Sequence, residues 1–320
     1  MKRRLFLALT GMAALPAKAQ QSAREVGFIH PGTADASTTR LQAFTAGLQQ
    51  RGFVEGRTVA VVPRWAENDP ARLAAAVDEL VQRKVSALLV VGRPATLLAR
   101  KATQTIPLVA LDLESDPIQS GFIKSLSKPG GNLTGLYFDF PEFSAKLLQL
   151  LGEAVPNLER LAALWDPTSG PVPLETLKAA AAERAMTLTV VTVEKPDDFD
   201  RAVKAAIAAK VQAAIALASP VFGTEPRRLA SLALQARLPL ITQFPEYAEM
   251  GGLMAYGISI VDLFRQGGEV VGKVLAGAAP ADLPVERPSR FRLVVNAGTA
   301  RAMGLTIPDV TLARADEVVE

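Results

Sequence analysis

From Val26 onward, short β-branched and apolar runs alternate with longer stretches whose apolar residues recur at helical spacing. Val26-Gly27-Phe28-Ile29 predicts a first strand. Residues 39–51 then set Leu41, Phe44 and Leu48 on one helical face, and Gly52 ends that helix. A second strand is predicted over 58–62, and a helix from Asp69-Pro70 carries Leu73, Val77, Leu80 and Val81. Pro70 suits a first helical turn, where a missing N–H costs nothing. The continuously apolar run 87–91, a short helix over 96–103 and a strand over 107–111 continue the series. Fully apolar strands separated by helices predict a parallel sheet covered on both faces.

The pattern restarts after Pro141. Helix is predicted over 143–151, 174–186, 199–210 and 226–236, and strand over 160–165, 187–193, 213–217, 239–242 and 253–256. A second set of β/α units implies two similar lobes in tandem, and about 300 residues exceed what one core usually serves. A helix over 261–275, a Pro-rich passage over 280–288 and a strand over 291–295 follow. They suggest that the chain crosses back between the lobes.

The first residues change the picture of compartment. Lys2, Arg3 and Arg4 precede an apolar run from Leu5 to Leu15, and Ala17-Lys18-Ala19 supplies a small-x-small pattern. This predicts an export signal over 1–19, cleaved near Ala19, and a periplasmic location. Arg3-Arg4-Leu5-Phe6-Leu7 fits a twin-arginine signal as well as an ordinary secretory one. The run is shorter than the roughly 20 residues of a membrane span, and no later run is long enough, so no membrane insertion is expected. Without a cysteine, neither a lipid anchor at the cleavage point nor a disulfide is expected. Removing residues 1–19 takes the formal charge from +3 to −1. Scattered charges of both signs on the remainder leave no footprint for nucleic acid.

Several segments resemble a known family: GLQQRGFVEGR (47–57), ATQTIP (102–107), DPIQSGF (116–122), SLSKPGGNLTG (125–135), GGLMAYG (251–257), and a tail containing ADLPVERPSRFRLVVNAGTARAMGLTIP (281–308) and ARADEVV (313–319). Each is weak alone, but the ordered set runs over the whole mature chain. It resembles the ABC-transporter substrate-binding family that includes the tryptophan-binding TrpX-type proteins. The resemblance implies an α/β fold of two doubly wound parallel-sheet lobes joined by a three-segment hinge, the type I periplasmic binding protein fold. The first lobe would take residues 24–137 plus 258–285, and the second 138–257 plus 286–320. The crossings would lie near 135–138, 255–257 and 284–290. The loops 92–94 and 113–115 are not obviously those of the tryptophan-binding members, so the resemblance does not carry tryptophan over.

In parallel α/β sheets, ligands sit at the carboxyl ends of strands. That rule brings in Gly32 and Thr33 after the first strand, Gly92, Arg93, Ala95 and Thr96, and Asp112 and Glu114. In the second lobe it brings in Asp166, Ser219 and Gln243, and the crossings add Tyr137, Asp139 and Tyr256. The 92–96 loop is the candidate for a ligand carboxylate. Free N–H groups and the helix dipole favour an anion there, Arg93 offers a bidentate pair, and Thr96 a hydroxyl. The plain alternative is a rim arginine beside an ordinary helix start. Asp112 or Glu114 is the candidate for a ligand ammonium, whereas Asp116-Pro117 reads as a helix cap. Tyr137, Phe138 and Tyr256 either stack on a planar ligand or pack the hinge. His30 is the one histidine, placed either in the cleft or in a structural hydrogen bond.

One histidine and no cysteine predict no metal site. No G-x-G-x-x-G follows the first strand, and neither a P-loop nor G-x-S-x-G occurs. The sequence therefore predicts no cofactor and no enzyme. The resemblance implies a receptor, monomeric by default, that closes on a small carboxylate, such as an amino acid or aromatic acid, and delivers it to ABC permease subunits. A periplasmic sensor that presents ligand to a membrane kinase or chemoreceptor would share the fold and the site.

Overall fold

A computed structural model describes residues 23–113, 116–137, 141–288 and 290–320, with the side chains of residues 141 and 142 left aside. The predicted signal segment and the calls on Glu114, Phe138 and Asp139 lie outside the described residues. The first half runs β1 (Arg24–His30), α1 (Thr38–Gln50), β2 (Val59–Trp65), α2 (Pro70–Gln82), β3 (Ala87–Val91), α3 (Gly92–Ala102), β4 (Leu108–Asp112) and β5 (Leu133–Tyr137). Its five strands form one parallel sheet in the order β2-β1-β3-β4-β5. Every residue of β3, β4 and β5 is buried, as expected of strands covered on both faces.

The second half runs α4 (Pro141–Ala154), β6 (Arg160–Trp165), α5 (Val172–Ala182), β7 (Thr187–Thr192), α6 (Phe199–Ala208), β8 (Ala213–Ala216), α7 (Pro220–Thr224), α8 (Pro226–Gln235), β9 (Leu240–Thr242), α9 (Pro245–Glu249) and β10 (Met254–Gly257). After α10 (Ile260–Leu275) come β11 (Arg292–Asn296), α11 (Ala297–Met303), α12 (Asp309–Arg314) and β12 (Glu317–Val319). The second sheet orders as β12-β11-β10-β9-β8-β6-β7. All its pairs are parallel except β10 with β11.

That antiparallel pair departs from the all-parallel expectation, and the chain path explains it. After β10 the chain leaves for the first sheet, where α10 packs on α1, β3 and β4. It then passes Glu286, which bridges to Leu136 of β5, and re-enters the second sheet through β11 in the opposite direction. Close backbone approach locks α10 in place. A Cβ at Gly47 would stand 2.0 Å from the Arg265 carbonyl, and one at Gly268 would stand 2.1 Å from the Phe44 carbonyl. Only glycine lets α1 and α10 meet at this distance.

One further element differs from the sequence reading. The segment 92–96, expected as a loop before a helix, is instead the first turn of α3; Pro94 is tolerated there because a first turn needs no N–H. Residues 133–137 form β5, paired along the full length of β4 and overlapping the 135–138 expected for the first crossing. No described helix is long and apolar enough to cross a membrane.

Candidate functional site

The carboxyl ends of β1, β3 and β4 meet those of β6, β8 and β9 in direct contact. Arg40 on α1 donates from Nη2 to the carbonyl of Gly223 on α7. A Cβ at Gly92 would come 3.1 Å from Pro220, and one at Gly32 would come 3.0 Å from Thr224. The Arg93 side chain lies against Gly170, 3.4 Å from where its Cβ would be. The two sets of strand tips are therefore drawn together. Around His30, Val91, Leu111, Pro220 and Phe244 only 30 Å³ of space is left, room for about one water. A wider groove of 640 Å³ opens at one side of this contact, between Thr39 and Arg40 on one half and Thr224, Arg227, Ser231 and Glu246 on the other.

The start of α3 has the character expected of an anion site. Val91 stands at its N-cap position and offers no capping side chain, so the first-turn N–H groups have no side-chain acceptor. Gly92 adopts φ +80°, in the left-handed region that a side chain would strain. The Arg93 side chain is half-buried, and no hydrogen bond or ion pair holds its guanidinium among the described residues. Ala95 and Thr96 are fully buried. Ala95 packs in the core, and the Thr96 hydroxyl donates back to the Gly92 carbonyl at 2.9 Å, so these two present backbone rather than side chain.

Other candidates are engaged within their own half. Asp166 Oδ1 accepts from the Thr168 N–H at 2.9 Å and hydroxyl at 2.8 Å, while Oδ2 accepts from the Ser219 hydroxyl at 2.7 Å. Ser219 in turn accepts from the Val221 N–H and caps α7. Burial pushes the Asp166 carboxyl above the usual carboxylate range, against the pull of these donors. Asp166 and Ser219 are thus brought together, as an internal brace between β6 and β8. Asp112 ends β4, fully buried and in register with Tyr137 of β5. Tyr137 packs in the core with Phe122 at 6.4 Å, which favours packing over ligand stacking for this ring. Burial, and then the Asp112 charge, push its phenol far above 10.

Tyr256 stays half-buried in a stack with Phe143 (5.6 Å) and Phe291 (5.9 Å), where α4, β10 and β11 begin or end at the crossings. Gln243 follows β9, and its Nε2 is buried with no partner among the described residues. Thr33 is exposed, while Gly32 is buried with its N–H toward His30 Nδ1.

The structure also brings forward two residues that the sequence reading passed over. Arg40 is 5 % exposed, yet carries a charge. Its Nη1 lies 2.7 Å from His30 Nε2, and its guanidinium sits 5.9 Å from the Phe264 ring. Burial lowers its pKa to about 10, partly offset by the Glu246 carboxylate, so it remains protonated at neutral pH. The signal was present: Arg40 shares a face with Phe44 and Leu48 at four-residue spacing, the stripe that proves buried. Glu246 on α9 accepts from the Ile260 N–H at 2.8 Å and the Ser259 hydroxyl at 3.3 Å, and so holds the start of α10.

His30 is buried and receives two donors, the Gly32 N–H (2.9 Å from Nδ1) and Arg40. A neutral imidazole has one lone pair to offer, so the two compete through its tautomers, with Ser37 Oγ at 3.3 Å from Nδ1. A protonated ring would offer no acceptor at all. Burial and the Arg40 charge accordingly hold its pKa well below 6.5.

Comparisons with known proteins agree with this architecture. A family model described as ABC transporter substrate binding protein matches residues 25–319. A "Tyrosine-binding protein" from Clostridioides difficile is 21% identical over 266 residues, 82% of this chain and 76% of the relative. Among solved structures, a conserved domain protein from Vibrio cholerae is 27% identical with TM-score 0.83, covering 93% of this chain and 100% of the other. A domain from Streptococcus pneumonia in complex with L-Trp is 24% identical with TM-score 0.82, over 93% and 100%. A ligand-free, open substrate binding protein with adhesive properties from Clostridium difficile is 20% identical with TM-score 0.63, over 93% and 99%.

Proposed function

The chain belongs to the ABC transporter substrate binding protein family, and we propose that it captures an amino acid or aromatic acid between its lobes for an ABC importer. Its architecture is the type I periplasmic binding fold, and the family binds substrates rather than transforming them. In this reading the segment 1–19 directs export and is removed, and the remainder, a monomer of lobes 24–137 plus 258–285 and 138–257 plus 286–320, works in the periplasm. Ligand binds the closed form better because it touches both lobes, so it shifts the population toward closure. The closed shape then docks on the permease.

The observation that carries this reading is Arg93. A guanidinium without a partner, at an uncapped helix start, facing Gly170 of the opposite half, is what a ligand carboxylate requires. Gln243 Nε2 adds an unsatisfied donor from the second half, and the Tyr256 stack an aromatic wall. Asp112, Glu114 and Asp139 are the candidates for a ligand ammonium. The relatives named for tyrosine and crystallised with L-Trp make aromatic amino acids the first ligands to test. The chain as a whole also superimposes better on the L-Trp complex than on the ligand-free, open relative.

The test is a thermal-shift screen of residues 20–320 against the amino acids and a panel of aromatic acids. A ligand at a hundred times its Kd adds about 2.7 kcal/mol of stability and raises Tm accordingly. A cooperative melt that no amino or aromatic acid moves, even at millimolar concentration, would refute the ligand class.

A further inference from the structure

Ligand is not the sole bridge between the halves. Arg40 belongs to α1, on the first sheet, and the carbonyl it reaches belongs to Gly223, on α7 of the second, 183 residues away. Both groups line the narrow space between the strand tips with Val91 and Phe244, and among the described residues neither is hydrogen-bonded to Arg93, Gln243 or Tyr256. Within the first half the guanidinium is seated by His30 Nε2 and by the Phe264 ring of α10, which packs on the first sheet, while the Glu246 carboxylate of the second half acts on its charge without an ion pair. No carboxylate makes an ion pair with Arg40 among the described residues, so the Gly223 carbonyl supplies an acceptor that nothing in the first half replaces.

We infer that Arg40 is an interlobe latch: its bond to the Gly223 carbonyl favours the closed form and thereby sets ligand affinity without touching ligand. The physical basis is a difference between two states. In the closed form the buried guanidinium has the carbonyl as acceptor, and a charged hydrogen bond of this kind has a favourable net worth. When the lobes part, the bond is lost and water takes its place. A ligand that must hold the closed form then meets a protein already biased toward it, which raises its apparent affinity in proportion to the closed fraction. Arg40 is thus a positioning residue for closure. The inference rests on the interlobe-cleft reading, so its test separates the two.

The test uses two variants that keep a folded core. Arg40→Lys keeps the charge but cannot reach His30 and Gly223 at once. Gly223→Ala leaves Arg40 intact and places a Cβ 3.3 Å from its Nη2 and 3.0 Å from Ile260. Because the chain contains no cysteine, spin labels at Lys101→Cys and Glu183→Cys, both exposed, report the separation of the halves without background. The expected result is that both variants shift the ligand-free distance distribution toward longer separations. Each should also weaken binding of free tyrosine by about tenfold, with a wild-type circular dichroism spectrum. Distributions that superimpose on wild type in both folded variants would overturn the latch. If the wild type binds no tyrosine, the distance measurement still decides the latch, while the ligand assignment alone fails.

Discussion

Replacing Arg93 with alanine isolates a ligand contact from a structural one. Its guanidinium has no hydrogen bond or ion pair among the described residues, and its stem lies against Gly170. Truncation therefore orphans no partner within the protein. The penalty for an unsatisfied group, which usually dominates such substitutions, is absent. What disappears is a charge-assisted bond to a ligand carboxylate, worth about 1.5–3 kcal/mol. By the tenfold-per-1.4 kcal/mol relation, affinity should fall by roughly 10- to 150-fold. The α3 N–H groups stay in place and keep part of the anion affinity, so binding is weakened rather than abolished.

Isothermal titration calorimetry with whichever acid the thermal screen returns gives the number directly. Ligand-free Tm serves as the control and should stay near the wild-type value. A neutral analogue, the ligand's primary amide, adds a second arm: wild type and Arg93→Ala should bind it about equally. Unchanged affinity for the acid would remove Arg93 from the site. A large fall in ligand-free Tm would show instead that packing against Gly170 is what the side chain does.

Three other predictions concern stability. His30 is neutral in the fold with its pKa held well below 6.5, so the unfolded chain binds the extra proton. Its contribution is complete above about pH 6.5 and is lost as pH falls below that value, so denaturation at pH 7.5 and 5.5 should show a loss that His30→Asn reduces. Asp166 has the opposite sign, because burial raises its pKa and the folded state holds the proton more tightly. Wild type should gain stability relative to Asp166→Asn as pH falls through the folded pKa toward the unfolded value of about 3.9, and a denaturation series carried from about pH 7.5 down to about pH 4 that shows no trend for this pair would refute it. Gly268→Val meets the Phe44 carbonyl at 2.1 Å and should destabilise by more than the about 1–3 kcal/mol of ordinary overpacking, measured by urea denaturation.

The α/β alternation was legible because each element announces itself locally. Runs such as Ala87–Val91 are apolar throughout, and faces such as Leu73, Val77 and Leu80 repeat at helical spacing. The rule that strand tips face the ligand picked segments that do meet: Gly92 with Pro220, Gly32 with Thr224, Arg93 with Gly170. What stayed hidden depends on partners far along the chain. The antiparallel pairing of β10 with β11 depends on the chain's return through the first half, and the burial of Arg40 is legible in its helical face while its acceptor, the Gly223 carbonyl, lies 183 residues away. Thr96 and Asp166, both ligand candidates from the sequence, find acceptors and donors within a few residues or just past the neighbouring strand.

This difference yields a criterion for ranking polar groups at the contact between the halves. A group engaged within its own half, such as Asp166 with Thr168 and Ser219, keeps those bonds whether the lobes are open or closed, so it contributes rigidity but no dependence on ligand. A group engaged across the contact, such as Arg40, changes partner as the lobes part and so biases the equilibrium by itself. Only a group left without a partner when the halves meet can repay a ligand for closing them. Among the sequence candidates whose side chains are described, Arg93 and the Gln243 amide meet that condition at the contact, while the unpartnered Tyr137 hydroxyl is buried in the core of the first half. Double substitution at these two positions should therefore remove more affinity than any change at Asp166 or Ser219 that leaves the fold intact. Calorimetry giving Ser219→Ala the larger loss would break the criterion.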